Sequence, residues 1–295
     1  MSATVDSRQR GMVLVIVLWI VTLLAVMAGG FAYSMRVETR LATSAVERAQ
    51  ARALAEAGVV YALAWQLDSE AQKKWPPSGD PHDWEFGGGQ VRISVEDAAG
   101  RISLNNANPQ VLQKTLATLG VADTDAEKLA AAITDWRDQD DQTTAPGGAE
   151  SAEYQGAGRP GPKNAPFESV DELQQILGMD RDTAQHLAGL ATADALISGI
   201  NPQWASLAML RALGLDEQAA ADYVNARAQA AAEGAPLPPP SVEEPTFFSG
   251  SRSSVYHIAV TAQVGTGATV SAETVVSTQN PPQGQVARWL SWRLR

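Results

Sequence analysis

The chain of 295 residues contains no cysteine. Disulfides, thiolate nucleophiles, cysteine-ligated zinc and iron–sulfur clusters are therefore excluded. The redox compartment stays open, because zero cysteines suits either environment. Histidine is scarce as well: His82, His186 and His257 are the only three, too few and too scattered for a histidine-rich metal site. Basic charge is short, with 22 Lys and Arg against 33 Asp and Glu and a net charge of −11. Neutralising phosphates supplies most non-specific nucleic-acid affinity, so nucleic acid is not an expected partner. No Gly-x-Ser-x-Gly, His-Glu-x-x-His or phosphate-binding glycine loop occurs, which removes common hydrolase and nucleotide-binding signatures. With 45% hydrophobic and 19% charged residues, the chain reads as folded, in one large domain or two.

Charge is missing altogether from Met12 to Met35. Those 24 residues, as a helix rising about 1.5 Å each, span roughly 36 Å, enough for a hydrocarbon core of about 30 Å. Arg8 and Arg10 precede the run and place its start on the cytoplasmic side. A cleaved secretory signal is the competing reading. Such signals have a shorter apolar region closed by a small-x-small site, whereas this run continues past Ala25 and Gly29 to Phe31. A retained anchor is the expectation.

Arg36 to Gln66 then holds no proline and one glycine. Leu41, Ala45, Ala49, Leu54, Val59 and Ala62 recur at helical spacing, with Glu38, Arg40, Glu47, Arg48 and Arg52 on other faces. The pattern predicts one helix of over 50 residues, half in lipid and half in water, ending before Pro76-Pro77. An anchor, a short break and an ordinary soluble helix is the alternative.

Gln9-Arg10-Gly11, followed at once by Met12-Val13, resembles the leader of type IV prepilins and pseudopilins. The resemblance implies a membrane prepilin peptidase that cuts after Gly11 and methylates the new N-terminal Met12. The fifth residue after that cut is Ile16, where most of the family carries a glutamate that neutralises a neighbouring subunit's terminal ammonium. An unpaired charge in lipid is expensive, so a subunit without this carboxylate suits a place with nothing stacked above it. In that departure the chain resembles the K-type minor pseudopilins of the type II secretion system.

Beyond the helix, Gly87-Gly88-Gly89 opens a strand pattern of Val91, Ile93 and Val95. Asp97 to Gly100 reads as a turn, with Ile102 and Leu104 as the returning strand of a hairpin. Strand patterns return at Val255–Val264, Ala268–Ser277 and Val286–Trp292. Asn105 to Ala232 between them is helical in composition, and Glu233 to Pro245 is a proline-rich return linker. The helical stretch echoes itself. Asn108-Pro109-Gln110, Val170 to Leu173 and Asn201-Pro202-Gln203 each lead to a Leu-Gly stop, at Gly120, Gly178 and Gly214. These short hairpins resemble helix–hairpin–helix or SAM-like modules. The acidic balance favours a structural role for them over DNA binding.

The densest chemistry lies in Asp135-Trp136-Arg137-Asp138-Gln139-Asp140-Asp141, Pro146-Gly147-Gly148-Ala149-Glu150 and Glu153. Six carboxylates fall within 19 positions, offset only by Arg137 and, further on, Arg159. Calcium takes six to eight oxygen ligands and tolerates irregular loops, but the spacing is not that of an EF-hand. On the residues alone a cation site and a solvated acidic loop stand equal. The resemblance implies calcium, with Asp135, Asp138, Asp140, Asp141, Glu150 and Glu153 as candidate ligands and Asn164 as a further carbonyl. A catalytic carboxylate pair would face across a cleft, whereas these acids crowd one loop. The three histidines and Trp65, Trp75, Trp84, Trp136 and Trp204 read as packing or surface residues.

The resulting expectation is an α+β chain: a long N-terminal helix, transmembrane then soluble, on a small antiparallel sheet, with a large α-helical domain inserted between strands. Its parts are a leader (1–11), a transmembrane segment (12–35), a pilin-like domain in two pieces (36–104 and 241–295) and the insert (105–240). The resemblance implies a non-enzymatic minor pseudopilin of the inner membrane with its bulk in the periplasm, at the tip of the pseudopilus. It implies I-, J- and H-type minor pseudopilins and the major pseudopilin as partners, with helix contacts at Ile16, Leu41, Ala45 and Ala49. Two alternatives are a membrane-anchored periplasmic metal-dependent hydrolase and a minor subunit of a type IV pilus.

Overall fold

The computed structural model describes residues 7–233, 235, 238–241, 245–265 and 267–295. Most of the leader (residues 1–6), parts of the 233–245 linker and Thr266 lie outside the described residues.

Helix α1 runs unbroken over Ser7–Leu67, 61 residues or about 90 Å. No proline interrupts it, and Asp68 stops it by capping the next helix, α2 (Ser69–Lys74), through its carboxylate. Met12 to Val46 is exposed throughout, so α1 meets the rest of the protein only with its last five turns. There Ala51, Leu54, Ala55, Val59, Ala62 and Leu63 are buried on a five-stranded antiparallel sheet.

The sheet order is β1-β2-β5-β6-β7, from β1 (His82–Phe86), β2 (Gly89–Asp97), β5 (Val255–Val264), β6 (Ala268–Ser277) and β7 (Arg288–Leu294). Val91, Ile93, Val95, Ile258, Val260 and Ala262 face α1 and form one core with it. Helix and sheet approach closely at Gly58. A Cβ there would stand 2.8 Å from Val260 Cγ1 and 2.9 Å from Val91 Cγ1, inside any normal contact distance.

The hairpin differs from the sequence expectation. Gly87-Gly88 is its turn, and β1 is the partner of β2, pairing His82 with Ile93 and Phe86 with Gly89. Ile102 does not return along β2. Ile102–Ser103 (β3) instead pairs in parallel with Ala191–Thr192 (β4) inside the helical region. The strand β1 went unread because its alternation sits in His82, Trp84 and Phe86 among prolines and acids.

Asp97 and Tyr256 are Cα partners in the β2–β5 ladder, so the chain leaves the sheet and re-enters it at adjacent points. Between them lie α3 (Pro109–Thr118), α4 (Asp123–Arg137), α5 (Ser151–Gly156), α6 (Arg181–Leu190), α7 (Leu207–Ala212) and α8 (Glu217–Glu233). They enclose a second core from Ile102 to Phe247, built on Leu112, Leu116, Ile133, Leu187, Met209 and Leu210. Gly120, Gly178 and Gly214, the expected stops, all take φ between 83° and 101°, a backbone region open chiefly to glycine. The helix starts are less uniform. Asn108 caps α3, but Val170–Gln175 is a 3-10 helix. Asn201-Pro202 forms a turn, and α7 is capped by Ser206.

The close crossing at Gly58 generates a prediction. Gly58→Leu overpacks the helix–sheet interface and destabilises the protein by about 1–3 kcal/mol, read as a lowered Tm by circular dichroism. Ala64→Leu, on the exposed side of the same helix, leaves Tm unchanged.

Candidate functional site

The acidic loop starts where α4 ends. Asp135 and Trp136 occupy the last turn and are buried, Asp135 completely. Trp136 donates its indole N–H to Glu172 (3.0 Å). Tyr154 of α5 is buried against the same core, and its hydroxyl accepts from the Leu177 amide (3.0 Å). The two arginines available in the sequence are turned away from the acids. Arg137 donates to the carbonyls of Leu104 and Ala107. Arg159 donates to those of Gln175 and Ile176 and lies over the Tyr154 ring.

The six sequence-predicted carboxylates divide into two groups. Asp138, Asp140 and Glu150 present carboxylate oxygens within 4.8 Å of one another. Of these, Asp140 also accepts from the Gln142 amide (2.8 Å); the other three lie outside the converging group and are engaged by the chain. Asp135 accepts from the Thr144 amide (3.0 Å). Asp141 accepts from Asn164 Nδ2 (3.3 Å) and Ser151 Oγ (3.5 Å). Glu153 accepts from the Glu150 amide (3.0 Å), closing the N-terminus of α5.

Around the converging group, buried acceptor atoms lack donors. Asp138 Oδ1, both oxygens of Glu150, and Asn164 Oδ1 have no hydrogen-bond partner. Asn164 takes a left-handed backbone (φ 48°) and donates Nδ2 to the Asp140 carbonyl (3.2 Å). Burying an unpaired carboxylate is costly, and here two, Asp138 and Glu150, lie together. Burial, reinforced by Asp135, Asp138, Asp141 and Asp140, pushes Glu150 up to about 7. Burial and then Asp135 and Asp140 also raise Asp138. Three convergent carboxylates, acceptor-only and anionic, fit a hard divalent cation completed by further oxygens. Nothing here resembles a nucleophile–base pair.

The second feature is the unpacked length of α1. Its most apolar window has a mean hydropathy of 2.8 and none of it is buried; Ile16 is 53% exposed within it. Further along, Ala42, Val46, Ala49, Ala53, Val60, Ala64 and Leu67 are all exposed. At 100° per residue they fall within about 60° of one another, a small-residue stripe running opposite the sheet. Leu41, Ala45 and Ala49 are likewise exposed, but Leu41 and Ala45 project from the neighbouring face, beyond the end of the sheet. The six residues Leu41 to Ala62 that share one sequence pattern are therefore split between a free face and a buried one. The outer stripe was hidden in the sequence because alanines alternate with Arg52 and Glu56, which pair with each other (3.0 Å).

Comparison with known proteins bears on parts of the chain. A family model described as type II secretion system protein K matches residues 92–194. A type II secretion system protein K from Klebsiella pneumoniae is 31% identical over 206 residues, covering 62% of this chain and 62% of that protein. Among solved structures, a chain in the GspK–GspI–GspJ complex of the enterotoxigenic Escherichia coli type 2 secretion system superposes with a TM-score of 0.55 at 16% identity. That match covers 89% of this chain and 99% of the other. It carries the fold: a long N-terminal helix on an antiparallel sheet with a helical insertion.

The crowded acids make a pH prediction. Folded Glu150 keeps its proton up to about pH 7, whereas an unfolded glutamate releases it near 4.5. Between those values the folded state binds more protons, so without divalent cations Glu150 makes stability fall as pH rises from about 4.5 to 7. The difference in Tm between the wild type and Glu150→Gln, followed across that window in chelator, isolates this slope from other titrating groups. A pH-independent difference contradicts the assignment.

Proposed function

We propose that this chain, similar to type II secretion system protein K over part of its length, acts as a minor pseudopilin at the tip of the secretion pseudopilus, without catalytic activity of its own. The observation that carries this reading is α1. A 61-residue helix that packs only its last five turns leaves a membrane-length apolar half and an outer small-residue stripe for other helices. The free half anchors the chain in the inner membrane, and the folded body stands in the periplasm. Processing after Gly11 leaves Met12 as a methylated N-terminus, in keeping with the leader resemblance.

Ile16 supports the tip position, since it offers no carboxylate to a subunit stacked above. The insert supports it by volume: a second core running from Ile102 to Phe247 is a domain-sized body that each step of a repeating lattice would have to accommodate. I- and J-type minor pseudopilins are the expected immediate partners, with the H-type and major pseudopilins below. Calcium at Asp138, Asp140, Glu150 and Asn164 would neutralise the buried acids and fix α5 against the end of α4. Asp135, Asp141 and Glu153 would orient that shell. Calcium added to the chelated protein then removes the Glu150-dependent pH slope, since binding selects the ionised folded form.

The reading is tested by native mass spectrometry of the complex extracted from membranes after co-expression with the other minor pseudopilins and the peptidase. One copy of this chain, with one each of two partners and the mass of residues 12–295 plus one methyl group, is the expected result. A homopolymer, or a chain retaining its leader, contradicts it.

A further inference from the structure

A cavity of about 310 Å³ opens between the helix–sheet unit and the insert. Its walls come from α2 and the Pro76–Asp80 segment on one side, and from Trp204 and α8 on the other, with Arg252 beside them. The volume equals the share of about ten liquid waters, at the lower end of the range of small-ligand sites. Pro76, Ala228, Ala231 and the Trp204 indole give it apolar walls.

The donors around it outnumber the acceptors. Arg227 lines the cavity yet is only 5% exposed. Its Nη1 donates to the carbonyls of Pro202 (3.0 Å) and Ala205, and among the described residues no carboxylate forms an ion pair with it. A guanidinium carries five donors, so the rest of the fork is left over. Trp204 Nε1 is buried without an acceptor, and the Arg252 guanidinium lies 5.0 Å above the same indole. Lys73 is already paired with Glu70 (2.6 Å). The carboxylate among the described lining residues, Asp80, accepts from Ser78 Oγ (2.6 Å) and attracts Arg227 through space without forming an ion pair. A buried cation held only by main-chain carbonyls and a buried indole N–H without an acceptor are both costly, and in a chain of net charge −11 two arginines converging on one cavity stand out.

We propose that this cavity binds a carboxylate carried on a short apolar body, the shared chemistry of a peptide C-terminus and a small organic acid. The carboxylate would accept from Arg227 and Arg252 beside the Trp204 indole, and its apolar part would lie against Pro76, Ala228 and Ala231. Because the walls belong to both folding units, occupancy would strengthen their attachment.

The test uses the full chain in detergent micelles, labelled with 5-fluorotryptophan and read by fluorine NMR, with the Trp204 signal assigned from Trp204→Phe. N-acetyl-leucine should shift that signal with a Kd on the order of 1 mM, and N-acetyl-leucinamide should not. Arg252→Gln, at an exposed residue, should keep the wild-type Tm and weaken binding at least about fivefold; Arg227→Gln should abolish it. N-acetyl-alanyl-leucine binding tighter than isovalerate identifies a peptide end as the source, and the reverse order a small acid. Equal shifts by acid and amide, no shift at Trp204, or wild-type binding by folded Arg252→Gln overturns the proposal.

Discussion

Everything else in this protein hangs on how the last five turns of α1 pack on the sheet. Leu54, Val59 and Leu63, each at most 5% exposed, contribute about 1.5–3 kcal/mol apiece by burial. Ala51, Ala55, Gly58 and Ala62 keep the helix axis close to Val91, Ile93 and Val260. That interface holds one end of a helix about 90 Å long, whose residues Met12 to Val46 are exposed throughout among the described residues. A helix so held is a stiff arm: its fixed end is packed on the body, and its free end presents an exposed apolar surface.

The second constraint concerns how so large an insert is tolerated. The sheet is interrupted between neighbouring strands, so the insert's two ends arrive side by side and close a loop that the β2–β5 ladder already ties. Asp97 is the knot. It is 2% exposed and accepts from the Ala99 amide on the way out (2.8 Å) and the Ser253 amide on the way back (3.2 Å). Burial pushes its carboxyl up to about 6. Around it, Arg101 bridges Glu96 to the Ala191 carbonyl, and His257 of β5 meets Thr192 of β4 (3.1 Å). The insert is thus fastened to the outer face of the sheet as well as joined to its ends. The acidic loop lies deeper within the insert, at the junction of α4 and α5.

Much of this was legible in the residues because the relevant patterns are local. An uncharged run, a proline-free helix, strand alternation at Val255–Ser277 and glycine stops each depend on near neighbours, and each stands as read. What was not legible depends on long-range packing. The partner of β2 turned out to precede it, because Asp97 starts an insert instead of a turn, and Ile102 follows the insert's own core. In the acidic loop, the composition gave six equivalent carboxylates. Only the fold separates the three that converge from the three occupied by Thr144, Asn164 with Ser151, and the Glu150 amide, since those donors come from elsewhere in the loop. Arg137 and Arg159 look compensating in sequence, yet both are drawn to main-chain carbonyls. Alanines in α1 carry no sign of which side they face until the sheet chooses one.

The central proposal is that the outer stripe of α1 is the seam along which this chain would join other helices. Since the chain has no cysteine, single cysteines can be placed at Ala53, Val60 and Ala64, with Leu63 as the buried control, and their reaction with a maleimide timed. The account predicts fast labelling at the three stripe positions in the isolated subunit and strong protection when the other minor pseudopilins are co-assembled, with Leu63→Cys slow in both. Equal labelling of the stripe with and without those partners would contradict it.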